Sequence, residues 1–280
     1  MIPLFQHYPL LGDKLPYVSL GEFPTPVQKL DRLGGNMGIN YLYIKRDDLT
    51  GKVYGGNKIR KLEFLLGNAL RTKVKEVLTS GCAGSNHCLA TAIYAQQVGL
   101  KSISMLMPQP NAHYVYHNLL MSHHCGAELH LHRSRLFVAL GTIYQLLRHR
   151  LKYRRFPQLI PLGGSAPLGV IGFINAAFEL KEQIMKGEMP EPDRIYVALG
   201  TTGTAVGLML GLKAANLKSR VISVRVTDKN FANVRKMVKL FYKTNSFLHS
   251  LDPSFPELEF SGKDIDIRHD FFWTTVRPLY

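Results

Sequence analysis

From residue 74 onward the chain alternates short β-rich runs with helical periodicity, and that alternation constrains the fold more than any other feature. Residues 74–79 read as a strand and 90–98 as a helix closed by Gly99. Strands at 102–107 and 128–131 alternate with helices at 114–123 and 139–151. The pattern resumes with a strand at 159–162, a glycine-rich turn at 163–169 and a long helix at 170–186. A buried strand at 194–199, a helix at 204–215, a strand at 220–226 and a helix at 230–241 follow. Residues 246–265 are the least periodic. Regular strand–helix alternation requires parallel pairing with helices covering both faces, so an α/β fold of open, mostly parallel twisted sheets is expected.

Composition narrows the class. With 46% hydrophobic and 20% charged residues over 280 positions, the chain fits about two globular domains and excludes collagen-like and disordered readings. Cys82, Cys88 and Cys125 form no CxxC pair, which argues against a disulfide framework or a zinc ribbon and for a reducing, cytoplasmic setting. The N-terminus lacks a secretory pattern, and no lipidation signature is seen. Residues 195–212 run without a charge, but Gly200 to Thr204 interrupt them where a spanning helix needs apolar bulk, so no membrane partner is expected. The net charge of +15 raises the question of nucleic acid. Its densest cluster, Arg148, Arg150, Lys152, Arg154 and Arg155, comes without a nucleic-acid-binding motif, and a solvated helix face is the expected reading.

Ligands in open α/β sheets sit beyond the carboxyl ends of strands, so the following loops are where chemistry is expected. In the first, Gly55-Gly56-Asn57-Lys58 delivers Lys58 to a helix N-terminus whose dipole, with Arg60 and Lys61 close by, disfavours the ammonium form. Such a lysine suits Schiff-base chemistry, of which pyridoxal phosphate is the familiar partner; a surface lysine beside a turn is the alternative. In the second, Gly84-Ser85-Asn86-His87 offers a helix N-terminus to a substrate carboxylate, although Ser85 and Asn86 also suit simple capping and His87 a hydrogen-bonded core position. The third, Gly200-Thr201-Thr202-Gly203-Thr204, opens a helix with amides and hydroxyls suited to a phosphate. It lacks the lysine of a Walker loop, and a ligand-free turn is the alternative.

Taken in order, Lys45-Arg46-Asp47-Asp48-Leu49-Thr50-Gly51, Gly55-Gly56-Asn57-Lys58-Ile59-Arg60-Lys61-Leu62-Glu63-Phe64, Gly84-Ser85-Asn86-His87 and Gly163-Gly164-Ser165-Ala166-Pro167-Leu168-Gly169 resemble the D-cysteine desulfhydrase and 1-aminocyclopropane-1-carboxylate deaminase family. The resemblance covers residues 23–228. It implies the tryptophan-synthase-β-like pyridoxal-phosphate fold, with a large cofactor domain of residues 1–60 and 165–280 and a small inserted domain of 61–164. It implies that Lys58 binds the cofactor aldehyde, that Asn86 partners its 3-hydroxyl, and that Gly200, Thr201, Thr202, Gly203 and Thr204 hold its phosphate. Ser85, Asn86 and His87 would grip the substrate carboxylate, with Ser85 also a catalytic candidate. The implied reaction turns a small amino acid into a 2-keto acid and ammonia, in a homodimer.

The C-terminal part departs from the family pattern. Relatives carry a Gly-Tyr-Gly turn with a substrate-facing tyrosine and a late segment facing the pyridine nitrogen. Here Arg268-His269-Asp270-Phe271-Phe272 approaches that turn, and residues 273–280 do not continue it. A truncated or replaced ending is therefore expected, with weaker cofactor retention and uncertain activity. A homologue that keeps the fold as a binding protein is the alternative, and a basic nucleic-acid-binding protein a more distant one.

Overall fold

The computed structural model describes residues 1–271. The chain divides into two units: one of Met1–Leu15, Pro24–Arg46 and the chain from Ser165 onward, the other of Pro16–Phe23 and Asp47–Gly164.

The second unit is built on a parallel four-stranded sheet in the order Glu128–Leu131, Lys101–Met107, Glu76–Cys82, Gln158–Leu159. Helices Lys58–Arg71, Asn86–Gln97, His113–His124 and Arg135–Tyr153 belong to it. Burial is distributed as parallel pairing demands: Glu76 to Thr79 and Ser102 to Leu106 are buried without a break, because helices cover both faces of central strands. The Lys58–Arg71 helix is buried around most of its circumference, including Arg60, Lys61 and Glu63. A stripe of Ile59, Leu62, Leu66 and Ala69 is therefore only part of its buried surface.

In the first unit, strands Arg194–Leu199, Arg220–Arg225 and Asp266–Arg268 form a parallel sheet in that order, and Val27–Lys29 pairs antiparallel with Tyr43–Lys45. Its main helices are Pro167–Met185, Gly203–Ala214 and Val234–Leu251. The first two pack closely because Gly207 and Gly211 present no side chain: a Cβ on Gly207 would lie 2.5 Å from Phe173 Cβ, and one on Gly211 2.7 Å from Ala177 Cβ. That contact fixes the direction from which the Gly203–Ala214 helix, and the loop that opens it, leaves the sheet.

Two sequence expectations shift. The helix placed at 230–241 runs instead over Val234–Leu251, taking in residues assigned to the aperiodic stretch. Asn233 caps it by accepting the Lys236 N–H at 3.0 Å, and its buried residues Met237, Phe241, Thr244, Asn245 and Leu248 keep helical spacing with two polar members that a hydrophobic count overlooks. The domain boundary expected at residue 60 falls at 47, and residues 16–23 join the second unit. The cause is Glu63, whose carboxylate accepts the Leu20 and Gly21 N–H groups while its carbonyl accepts that of Val18. Phe272 and the divergent segment 273–280 lie outside the described residues.

Candidate active site

In the second unit, Lys58 is the first residue of its helix, and the turn before it is held from several sides. The Gly56 N–H donates to the Asp47 carbonyl at 2.8 Å and to Thr50 Oγ1 at 2.9 Å. Gly56 has φ +126°, open to glycine, and a side chain on Gly55 would collide with the Asp48 carbonyl. Both glycines are thus required, for different reasons. Asp47 also receives Arg60, whose Nε and Nη2 reach its carboxylate at 3.1 and 2.8 Å, with the guanidinium 4.4 Å from the Phe23 ring centre.

Lys58 Nζ donates to Asn57 Oδ1 at 2.8 Å, and burial holds its pKa below the ordinary lysine value. The sequence reading assigned this depression to the helix dipole and to Arg60 and Lys61. The operative cause is burial, and Arg60 is engaged with Asp47. Lys61 is itself fully buried, donates to the Gly163 carbonyl at 3.1 Å, and is driven well below the ordinary value by burial and by Lys58. Sequence reasoning treated Lys61 only as a nearby charge; its place one turn along the same helix was the available signal.

The second loop follows strand Glu76–Cys82. Ser85 is the N-cap of the Asn86–Gln97 helix, its Oγ accepting the Cys88 N–H at 3.3 Å, so the capping role is realised. Asn86 Oδ1 accepts from Asn118 Nδ2 at 2.8 Å, and the same amide donates to the Gly84 carbonyl at 2.9 Å. The Gly84 N–H in turn donates to Gln109 Oε1 at 2.9 Å. Asn118 and Gln109 had no motif to mark them. His87 is buried, with Nε2 3.1 Å from Thr79 Oγ1. The Thr79 hydroxyl donates to the Ile160 carbonyl at 3.0 Å, so the remaining assignment has His87 Nε2–H donating to Thr79. Burial, with lesser effects from Lys58 and Lys61, pushes the His87 pKa down to about 3. Its ring is therefore a neutral core group; what it offers a carboxylate is the backbone amide of the helix's first turn.

In the first unit, Leu199 ends the Arg194–Leu199 strand and Gly203 starts a helix; the strand expected to be buried is instead an edge whose exposed and part-buried residues alternate, with Leu199 its one buried residue. Between them Thr202 sits at φ +70°, ψ −28°, a left-handed conformation costing a β-branched residue on the order of 1–2 kcal/mol. Ser165 braces the loop: its Oγ lies 2.8 Å from Thr201 Oγ1 and accepts the Gly203 N–H at 3.1 Å. Ser165 was visible only as part of the Gly163 to Gly169 motif. A Cβ built on Gly200 would meet nothing within 4 Å, leaving room beside the helix N-terminus.

Each feature, within its own unit, fits one part of a phosphorylated aldehyde cofactor. A half-buried amine with a depressed pKa suits an aldehyde, and a strained, braced loop with open space at a helix N-terminus suits a phosphate that is bound and not hydrolysed. Among the described residues no cluster of His, Cys, Asp or Glu could hold a metal ion.

Comparison with known proteins agrees. Residues 18–252 match the family described as pyridoxal-phosphate dependent enzyme. The chain is 37% identical over 219 residues to the Arabidopsis thaliana bifunctional D-cysteine desulfhydrase/1-aminocyclopropane-1-carboxylate deaminase, covering 75% of this chain and 54% of that one. It is 32% identical over 235 residues to the D-cysteine desulfhydrase of Serratia proteamaculans, covering 81% and 69%. A crystal structure of a 1-aminocyclopropane-1-carboxylate deaminase homologue superposes with a TM-score of 0.76 at 32% identity, covering 95% of this chain and 76% of that one. With residues 18–252, most of its length, inside that family's profile, the chain belongs to the pyridoxal-phosphate dependent enzymes.

Proposed function

We propose that the chain is a lyase or deaminase that takes a small amino acid of the D-cysteine or 1-aminocyclopropane-1-carboxylate class to a 2-keto acid and ammonia. The observation that carries this reading is the half-buried amine of Lys58, its pKa lowered by burial, at the end of a turn that tolerates only Gly55 and Gly56.

In this reading Lys58 Nζ would bind the cofactor aldehyde and Asn86 would partner its 3-hydroxyl, while the Gly200 to Thr204 loop of the first unit would be the holder of a phosphate. When bound, the cofactor's pyridine ring supplies the electron sink for charge developing on substrate carbon. Lys58 Nζ, its pKa lowered by burial, would be the group that moves the proton at the substrate Cα or β-carbon. Asn57 Oδ1 holds that nitrogen in place between transfers. The first-turn amides behind Ser85 receive the substrate carboxylate, and Asn118 keeps Asn86 in register with them. The neutral His87 ring leaves that contact to the amides and the Ser85 hydroxyl.

Cys82, Cys88 and Cys125 are unpaired, which supports a reducing, cytoplasmic setting. A homodimer belongs to the same reading. Strand Arg194–Leu199 is an edge of its sheet and exposes Tyr196, a surface a second copy would cover, and sedimentation equilibrium measures it.

Purified protein reconstituted with pyridoxal phosphate is expected to show the visible absorbance of lysine-bound cofactor, absent in Lys58→Ala, and to release keto acid from D-cysteine or 1-aminocyclopropane-1-carboxylate. Absorbance unchanged in Lys58→Ala removes the assignment of that lysine. Bound cofactor without keto acid from either substrate replaces an enzyme with a binding protein.

A further inference from the structure

The Arg135–Tyr153 helix has its amphipathicity reversed. Its buried residues are Gln145 and His149, with Gln145 2.9 Å from His130 and His149 paired with the buried carboxylate of Glu76. On the outer side Leu136, Leu140, Ile143, Tyr144, Leu147 and Leu151 are 52–83% exposed. At 100° per residue these six fill an arc of about 100°, centred opposite Gln145 and His149. The inner side carries these polar pairs together with Val138, which packs against Leu78, Ile103 and Met105, whereas the outer arc, with exposed Phe137 at its edge, finds no apolar neighbour among the described residues.

The charge around this stripe is one-sided. Between Glu128 and Glu179 there is no acidic residue and seven arginines and lysines. Arg148 and Arg150 fall just outside the two edges of the stripe, and Arg150, Lys152, Arg154 and Arg155 are exposed where the helix ends. Arg148 pairs with Glu128 at 2.6 Å.

We propose that this helix is a docking surface for an anionic lipid bilayer, lying in the plane of the interface with its apolar stripe at the headgroup–acyl boundary and its arginines among the lipid phosphates. A helix with large apolar side chains on one arc and basic residues along its borders is the form that partitions there. The alternative of a second copy fits the stripe but not its borders, since a twofold pairing sets arginine against arginine along both edges. A bilayer accepts both parts at once. Basic residues near an anionic leaflet add to partition alongside buried apolar side chains, so the exposed cluster acts together with the stripe. No described helix is long and apolar enough to cross a membrane. The expectation of no membrane partner addressed spanning, and this inference concerns a helix that lies on the surface.

The test is co-sedimentation of the holoprotein with vesicles of phosphatidylcholine alone or with about 30 mol% phosphatidylserine. Binding is expected to the anionic vesicles and to weaken as salt is raised from about 0.1 to 0.5 M. The pair Leu140→Glu with Leu147→Glu should lower partition at least ~10-fold, and Arg150→Glu with Arg154→Glu should do the same on anionic vesicles only. All four side chains are exposed, so circular dichroism and the bound-cofactor absorbance should stay unchanged and show the variants folded. Absence of binding, or equal binding to both vesicle types, overturns the proposal. So does a lipid-free dimer that strengthens with salt and dissociates in the double-leucine variant, which would give the face to a second copy.

Discussion

Glu63 makes the sharpest test of the physical account, because its environment converts directly into a pH dependence. Its side chain is 2% exposed, and Oε1 accepts from Leu20 N at 3.1 Å, Gly21 N at 3.3 Å and the Tyr17 hydroxyl at 3.2 Å. Those donors favour the ionised form, but burial outweighs them and pushes the pKa up from 4.5 to about 7. Between those values the folded protein keeps a proton that the unfolded chain has released. Stability therefore falls as pH rises: it is highest below the unfolded pKa and fully reduced above the folded one. At about 1.4 kcal/mol per unit, the window amounts to about 3 kcal/mol.

Glu63→Gln keeps an oxygen for the three donors and removes the titration. Urea unfolding of both proteins at pH 5, 6, 7 and 8, followed by tyrosine fluorescence, should show wild type losing stability relative to the variant across that range, by an amount on the order of 3 kcal/mol. Groups titrating in both proteins cancel in the difference. Parallel pH profiles would refute the reasoning, for they would mean that the two backbone amides and the Tyr17 hydroxyl hold Glu63 ionised despite its burial.

Asp47→Ala should cost about 3–5 kcal/mol in the second unit, read from the urea midpoint, because it strands the buried Arg60 guanidinium; an Asp47→Ala/Arg60→Met double variant should recover part of the loss. Asn118→Leu removes two hydrogen bonds of 2.8 and 2.9 Å and should cost about 1–3 kcal/mol. Its affinity for pyridoxal phosphate, titrated by absorbance, should fall as well, through the loss of Asn86 orientation. Gly55→Ala drives a methyl against the Asp48 carbonyl and should cost about 1–3 kcal/mol. At denaturant concentrations where it remains folded, that variant should bind less cofactor per mole than wild type.

What was legible in the sequence follows from how far each interaction reaches along the chain. Strand Glu128–Leu131 falls where its alternation puts it and strand Arg194–Leu199 where its apolar run puts it, because both signals are local; that the second is a half-exposed edge and not a buried strand depends on which strands flank it, which no local run records. The lysine turn was legible because Gly55, Gly56 and Lys58 stand within four residues, although the groups that hold it, Asp47, Asp48 and Thr50, lie further back in the chain. The source of the Lys58 shift was not. Sequence shows Arg60 and Lys61 as neighbouring charges, whereas folding sends one to Asp47 and the other to Gly163, 102 residues away, and leaves burial to act on the amine. The sequence favours a hydrogen-bonded core position for His87 and only the family resemblance makes it a carboxylate ligand; folding gives its ring to Thr79 from the strand before, and the surrounding core lowers its pKa. Asn118 and Ser165 escaped notice as functional candidates because each acts 32 to 38 residues from where it sits, on Asn86 and on Gly203. The Arg135–Tyr153 helix is the reverse case: its apolar spacing was plain, but spacing alone cannot say which face turns inward, and only the pairing of His149 with Glu76 and the position of Gln145 beside His130 reveal that the apolar face is the outer one.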